Sequence, residues 1–235
     1  MNANLAASAA FTFLAEGDET VSMDASDPGC WSTGQIGNGV LIGCKYGVTP
    51  PVLASWLKVP SVTASMMFGL SKTVATAIYG ARYWQVVSGD LLPNGIDLMI
   101  ADHAFNAGDT TSALILQRLI RMPFTDIDGW CGPETAAAAA KFDSSVFIFR
   151  LSAYALQRVQ AFVGTKTDGE IGPLTLAAIA QHDDKTFVLC AALADAQLEN
   201  YRSDAGWARY SAGWTNRVWA RLSAALKLIP GGKLE

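Results

Sequence analysis

Two carboxylates near the N-terminus have the types and spacing for acid–base chemistry. Glu16 follows the apolar, alanine-rich stretch Leu5 to Ala15 and precedes Gly17. Good helix formers with a glycine stop predict a helix that ends there. A carboxylate at that end meets the negative pole of the helix dipole and apolar neighbours, and both favour its protonated form. A carboxyl group that keeps its proton near neutrality is what a glycosidic leaving group needs. Asp27 lies eleven residues further on, in Asp27-Pro28-Gly29. It is the candidate for a second group that holds a water. In inverting glycosidases two such carboxylates stand about 6.5–9.5 Å apart. Asp18, Glu19 and Asp24 compete for that part. The plainer readings are a surface glutamate beside a helix stop and an ordinary Asp-Pro-Gly turn.

These groups need elements to position them. From Asp18 to Thr49, Gly, Asp, Ser and Thr dominate. Within that stretch, Gln35 to Ile42 centres on Asn38-Gly39, a two-residue hairpin signal. The predicted β-hairpin covers about 31–46, with Ile36 facing Leu41 and Thr33 facing Cys44. From Pro51 onward the pattern is helical. Helices are predicted at Leu70–Tyr83, Asn94–Asn106, Ser112–Arg121, Pro133–Phe142, Val146–Val163, Pro173–His182, Lys185–Arg202 and Gly206–Leu226. The fold class is mainly α with a small N-terminal β-hairpin.

One segment echoes another. Leu116-Gln117, Asp128-Gly129 and Gly132-Pro133-Glu134-Thr135 recur as Leu156-Gln157, Asp168-Gly169 and Gly172-Pro173-Leu174-Thr175, each 40 residues later. Each unit reads as a helix, a glycine turn and a second helix opened by proline. Thr135 and Thr175 are placed to satisfy a free amide near the second helix start.

Composition excludes several classes. The chain has 235 residues, 51% of them apolar and 16% charged, which suits a packed core. Its net charge is −4 and Lys and Arg form no dense run, so nucleic acid is not an expected partner. Cys30, Cys44, Cys131 and Cys190 form no Cys-x-x-Cys pair, and only His103 and His182 accompany them. No metal site and no cofactor are expected, and the cysteines read as two buried free thiols and two in a loop, with the disulfide state of Cys30 and Cys44 left open. No apolar run reaches ~18 residues, so no membrane insertion is predicted. Met1 to Ala15 lacks a basic leader region and reads as a helix of the mature protein.

The ordered set of short motifs resembles the glycoside hydrolase family 108 muramidases. It starts with Ala15-Glu16-Gly17, Asp27-Pro28-Gly29 and Gly43-Cys44-Lys45-Tyr46-Gly47-Val48-Thr49. It continues through Tyr83-Trp84, Leu92-Pro93-Asn94-Gly95-Ile96-Asp97, Asp102 and Asn106-Ala107-Gly108. Asp168 to Thr175 and Tyr210 to Val218 resemble that family's peptidoglycan-associated region. The resemblance implies a lysozyme-like helical fold, with a catalytic region over 1–110 and a helical region over 111–235 packed into one globule. It implies cleavage of the β-1,4 bond between N-acetylmuramic acid and N-acetylglucosamine, with Glu16 as general acid.

Two positions depart from the family pattern. Asp18 stands where a second glycine is usual, and Cys44 where the family carries a threonine. Lysozyme-like enzymes often use such a hydroxyl to hold the water, and a thiol replaces it poorly. The water-holding group therefore lies among Asp27, Thr33 and Cys44, and a covalent route through Cys44 is the remote alternative. Asn106 and Asp102, four residues apart on one helix, are expected to share a face and bind sugar. Trp31 and Tyr46 are the expected aromatic and phenolic sugar contacts. The expected partner is peptidoglycan glycan, met by a monomer. The resemblance implies a phage- or prophage-type endolysin or a wall-remodelling enzyme. It would be made in the cytoplasm and act in the periplasm after holin-type release or dedicated export. The alternatives are a wall-binding protein that has lost catalysis and a purely structural helical protein.

Overall fold

Helix starts follow from capping chemistry. The computed structural model describes residues 3–143 and 147–232. It divides into two compact units, one of Ala9–Arg82 and one of Met1–Ser8 with Tyr83–Glu235. Helix α1 (Ala3–Ala15) contributes residues to both.

In the smaller unit a short 3-10 turn, Pro28–Cys30, precedes α2 (Pro50–Leu57), α3 (Ala64–Phe68) and α4 (Lys72–Tyr79). Proline opens α2, where its missing N–H costs nothing. The Thr63 and Ser71 hydroxyls accept from the backbone of Met66 and Val74 and so cap α3 and α4. A π-helical turn, Gly80–Trp84, continues α4, so the helix expected to reach Tyr83 changes its winding at Gly80.

The larger unit is built around α5 (Ile96–Ala107) and α10 (Thr186–Arg202). Around them lie α6 (Asp109–Leu119), α8 (Ala153–Val163) and α11 (Trp207–Lys227), all of which pack on α10, with α6 and α11 also packing on α5. Two short helices complete it, α7 (Pro133–Ala140) and α9 (Pro173–Ala180). Phe187 through Ala194 are buried on every side of α10, the pattern of a central helix. The helix expected from Val146 begins at Ala153, and Val146 itself lies outside the described residues.

The predicted hairpin is not there. The described residues form no strand, and the 31–46 stretch holds isolated bridges at Trp31–Leu41 and Ser22–Cys44. The expected register put Leu41 against Ile36, five residues from its actual partner. Three glycines, Gly34, Gly37 and Gly39, take positive φ, and the chain coils through successive turns instead of extending. Asn38 donates its backbone N–H to Gln35, a local turn bond in place of a ladder bond. Cys44 exchanges both backbone hydrogen bonds with Ser22, so Thr33 does not face it.

The core of the larger unit holds a buried charge cluster. Asp102 is fully buried and accepts from Arg217 at 2.8 Å and from Arg221 at 2.7 Å. Arg221 also donates to Gln197, and Gln197 donates to the Met99 carbonyl. This links α5, α10 and α11 through one carboxylate. Removing one partner of such a pair leaves a charge without compensation in a dry interior. Arg221→Met is therefore expected to lower the unfolding free energy by about 3–5 kcal/mol in urea denaturation.

His103, beside this cluster, is buried and its ring is held neutral. Its pKa is lowered to about 3, by burial first and then by the Arg221 charge. Below about pH 6.5 the unfolded chain takes up a proton that the folded chain refuses. Stability is thus lost as pH falls from 6.5 towards 3, by up to about 1.4 kcal/mol per pH unit. Asp97 pulls the other way. Burial raises its pKa to about 6, so the folded chain holds a proton longer and loses stability as pH rises from about 3.8 to 6. Comparing wild type with His103→Leu by urea denaturation from pH 7 to pH 4 isolates the histidine. The wild type should lose ground steadily against the variant as the pH drops.

Candidate active site

Helix α1 ends in a motif that fixes Glu16. The backbone N–H of Asp18 bonds the carbonyl of Phe13 at 2.7 Å, and that of Gly17 reaches Leu14 at 3.4 Å. Gly17 has φ +91°, so this is a Schellman stop with Glu16 as the last cap residue. Phe13 anchors it, its ring tilted against Tyr46 at 5.1 Å and edge-on at 6.1 Å to Tyr79. Glu16 is half-buried at the carbonyl end of the helix, as expected.

Asp27 caps the 3-10 turn, accepting the Gly29 N–H at 2.8 Å through Oδ1. Its other oxygen, Oδ2, lies 3.7 Å from Cys30 Sγ. Cys30 Sγ in turn lies 3.4 Å from Cys44 Sγ and 3.5 Å from the Ser22 carbonyl. The structure therefore brings Asp27, Cys30 and Cys44 together. Glu16 joins them electrostatically. Burial pushes the Cys44 thiol up to about 12, assisted by Cys30 and by the Asp27 and Glu16 carboxylates. A thiol that keeps its proton near neutrality is a poor nucleophile, so the raised thiol does not favour a covalent route to the sugar through Cys44. Donor atoms of Asp27, Cys30 and Cys44 all lie within 4.8 Å of one another, the one group of the described residues close enough to hold a cation.

The neighbouring segment is held by its own contacts. Lys45 donates to the carbonyls of Phe68 and Leu70, both at 3.1 Å, across the end of α3. Tyr46 takes φ +55° and is 2% exposed. Tyr46 was expected to touch sugar, but its ring packs on Phe13 and positions the α1 end instead. Burial raises its phenol pKa. Trp31 is half-buried, with its indole N–H on the Ala25 carbonyl, so it retains a partly open face. Thr33 is exposed and gives its hydroxyl proton to the Asn38 carbonyl, turned into its own loop.

In the larger unit, Asp102 and Asn106 part company. Asp102 faces the core and both its oxygens are committed to arginines, so it has no face for sugar. Asn106 is exposed and its amide donates to the Asp102 carbonyl one turn back. It borders a hollow of about 390 Å³ with Thr111, Asn200, Tyr201 and Trp214.

The repeated hairpins carry matching polar clusters. Gln117 donates to Asp128, the Trp130 carbonyl and Thr135, and accepts from the Gly129 N–H. Gln160 makes the corresponding bonds to Asp168, the Glu170 carbonyl, Thr175 and the Gly169 N–H. The sequence echo paired Gln117 with Gln157, but the residue that does its work is Gln160. These bonds lower the Asp128 and Asp168 pKa values, with the glutamine amide as the first cause in each. A hollow of about 270 Å³ with the exposed Trp130 flanks the first cluster. One of about 520 Å³ with the exposed Leu174 flanks the second.

Comparison with known proteins places these features. Residues 9–108 match the family model described as glycosyl hydrolase 108. Residues 152–219 match the predicted peptidoglycan domain. The solved structure of SagA from Brucella abortus is similar across all of both chains, with 24% identity and a TM-score of 0.56. At that identity the likeness speaks for the fold. No protein of curated function matches the chain. Residues 9–108 thus match glycosyl hydrolase 108 and residues 152–219 the predicted peptidoglycan domain, which supports a glycoside hydrolase acting on peptidoglycan.

Proposed function

We propose that the chain is a muramidase that cleaves the β-1,4 bond between N-acetylmuramic acid and N-acetylglucosamine, with Glu16 as general acid. The observation that carries the reading is the Schellman stop of α1, which leaves Glu16 half-buried at the carbonyl end of its helix within the stretch that matches glycosyl hydrolase 108. Asp27 caps the 3-10 turn of the same unit. Protonation of the leaving oxygen by Glu16 would start the cleavage. Asp27 retains one oxygen towards the thiols and holds the water, with the Cys44 thiol as a weak neighbouring donor. The hydroxyl of Thr33 is spent on its own loop and takes no part. Trp31 supplies a sugar contact in the smaller unit, and Asn106 one at its own hollow in the larger unit. The enzyme acts as a monomer on the wall in the periplasm, as a phage-type or wall-remodelling lysin.

Release of reducing ends from purified peptidoglycan tests this. Glu16→Gln should lower the rate about 10²–10⁴-fold with an unchanged melting temperature. Equal rates for wild type and Glu16→Gln would remove Glu16 from the mechanism. If neither cleaves but both sediment with cell walls, the chain binds wall without cutting it. Cys44→Thr restores a hydroxyl beside the water and is expected to raise the rate.

A further inference from the structure

We propose that Cys30 and Cys44 form a disulfide, an oxidative modification site set beside the Asp27 carboxylate. The two sulfurs already touch at 3.4 Å. Closing to a bond length of about 2.05 Å needs a movement of about 1.4 Å, within the reach of side-chain rotation.

The backbone holds both cysteines in place for this. The Cys30 carbonyl accepts from the N–H groups of Ile42 and Gly43, both at 2.9 Å. Cys44 is locked to Ser22 by two backbone bonds of 2.9 and 3.0 Å. Gly43, between them, has φ +89°, and a Cβ there would come within 2.7 Å of the Ser22 carbonyl. Cys131 and Cys190 are buried, and neither has a sulfur contact of this kind among the described residues.

The electrostatics also suit the oxidised form. Burial first, and then its neighbours, disfavour a charged Cys44 thiolate, whereas a disulfide carries neither charge nor proton. It would leave Asp27 Oδ2 without the Cys30 thiol as a neighbour.

The exchange balances with a small disulfide as oxidant. At alkaline pH Cys44, the half-buried member, loses its proton to hydroxide and attacks one sulfur of the oxidant as the thiolate. The oxidant's S–S bond breaks, and one thiol leaves as a mixed disulfide forms on Cys44. Cys30 is fully buried and acts second. Its proton passes to Asp27 Oδ2, its sulfur attacks Cys44 Sγ, and the second thiol leaves. Two cysteine thiols are oxidised and one disulfide is reduced to two thiols.

The test uses the whole protein with oxidised glutathione, a chelator, and alkylation after denaturation. Peptide mapping should find Cys131 and Cys190 alkylated and Cys30 joined to Cys44, with two hydrogens lost. The bond closes a loop of 15 residues, so the oxidised protein should melt roughly 5–10 °C above the reduced one. Cys30→Ser should stop at glutathione on Cys44 and show no such rise. Alkylation of all four cysteines in the oxidised wild type overturns the proposal. So does glutathione resting on Cys44 while Cys30 stays free. Thiol protection that needs added zinc and vanishes with the chelator would put a metal centre there instead, and also overturns it. None of these readouts depends on wall cleavage.

Discussion

The Asp102 carboxylate is the constraint around which the larger unit is arranged. A charge with no exposure must have its compensation built around it. Here the compensation comes from two arginines of α11, one of which reaches on to Gln197 of α10. The three helices cannot slide past one another without stranding that charge. The apolar surface of α10 is non-directional and would tolerate several registers, whereas the guanidinium fork tolerates one. Hydrophobic burial provides the drive for this unit, and the ion cluster selects the alignment.

Much of the helical plan was legible from periodicity and punctuation. The helices expected at Asn94–Asn106, Lys185–Arg202 and Gly206–Leu226 occur as Ile96–Ala107, Thr186–Arg202 and Trp207–Lys227. Proline at the start of α7 and α9 marked those helices correctly. Spacing alone could not say which way a face looks. Asp102 and Asn106 are four residues apart, as a shared face requires, yet one lies in the core and the other at the surface. The partners that draw Asp102 inward sit more than a hundred residues away in sequence, out of reach of any local pattern.

The 31–46 stretch misled for a different reason. Asn38-Gly39 is a sound hairpin signal only if the flanking residues are free to extend. Gly34 and Gly37 occupy the left-handed region as well, and each reverses the chain before a ladder can start. The error in register then moved the candidate site. It set Thr33 opposite Cys44 and hid the partners that Cys44 does have, Ser22 in the backbone and Cys30 at the sulfur. Glu16, by contrast, was readable, because its placement depends on a helix and its stop, both of which are local. Tyr46 was noticed for the wrong purpose. Its buried ring holds Phe13, and through Phe13 the stop that presents Glu16.

The two glutamine clusters differ in one telling respect. Gln117 stands eleven residues before its aspartate and Gln160 eight before its own, yet the bonds they make correspond one for one. The difference of three is close to one turn of helix, so either residue presents its amide on nearly the same side. The cluster is thus recognised by angular phase along a helix and not by distance along the chain. Insertions of about a turn are silent to it, while insertions of one or two residues would rotate the amide away. Copies of this hairpin can therefore drift in length by whole turns and keep the same polar lock, and a search at fixed spacing would pass over them.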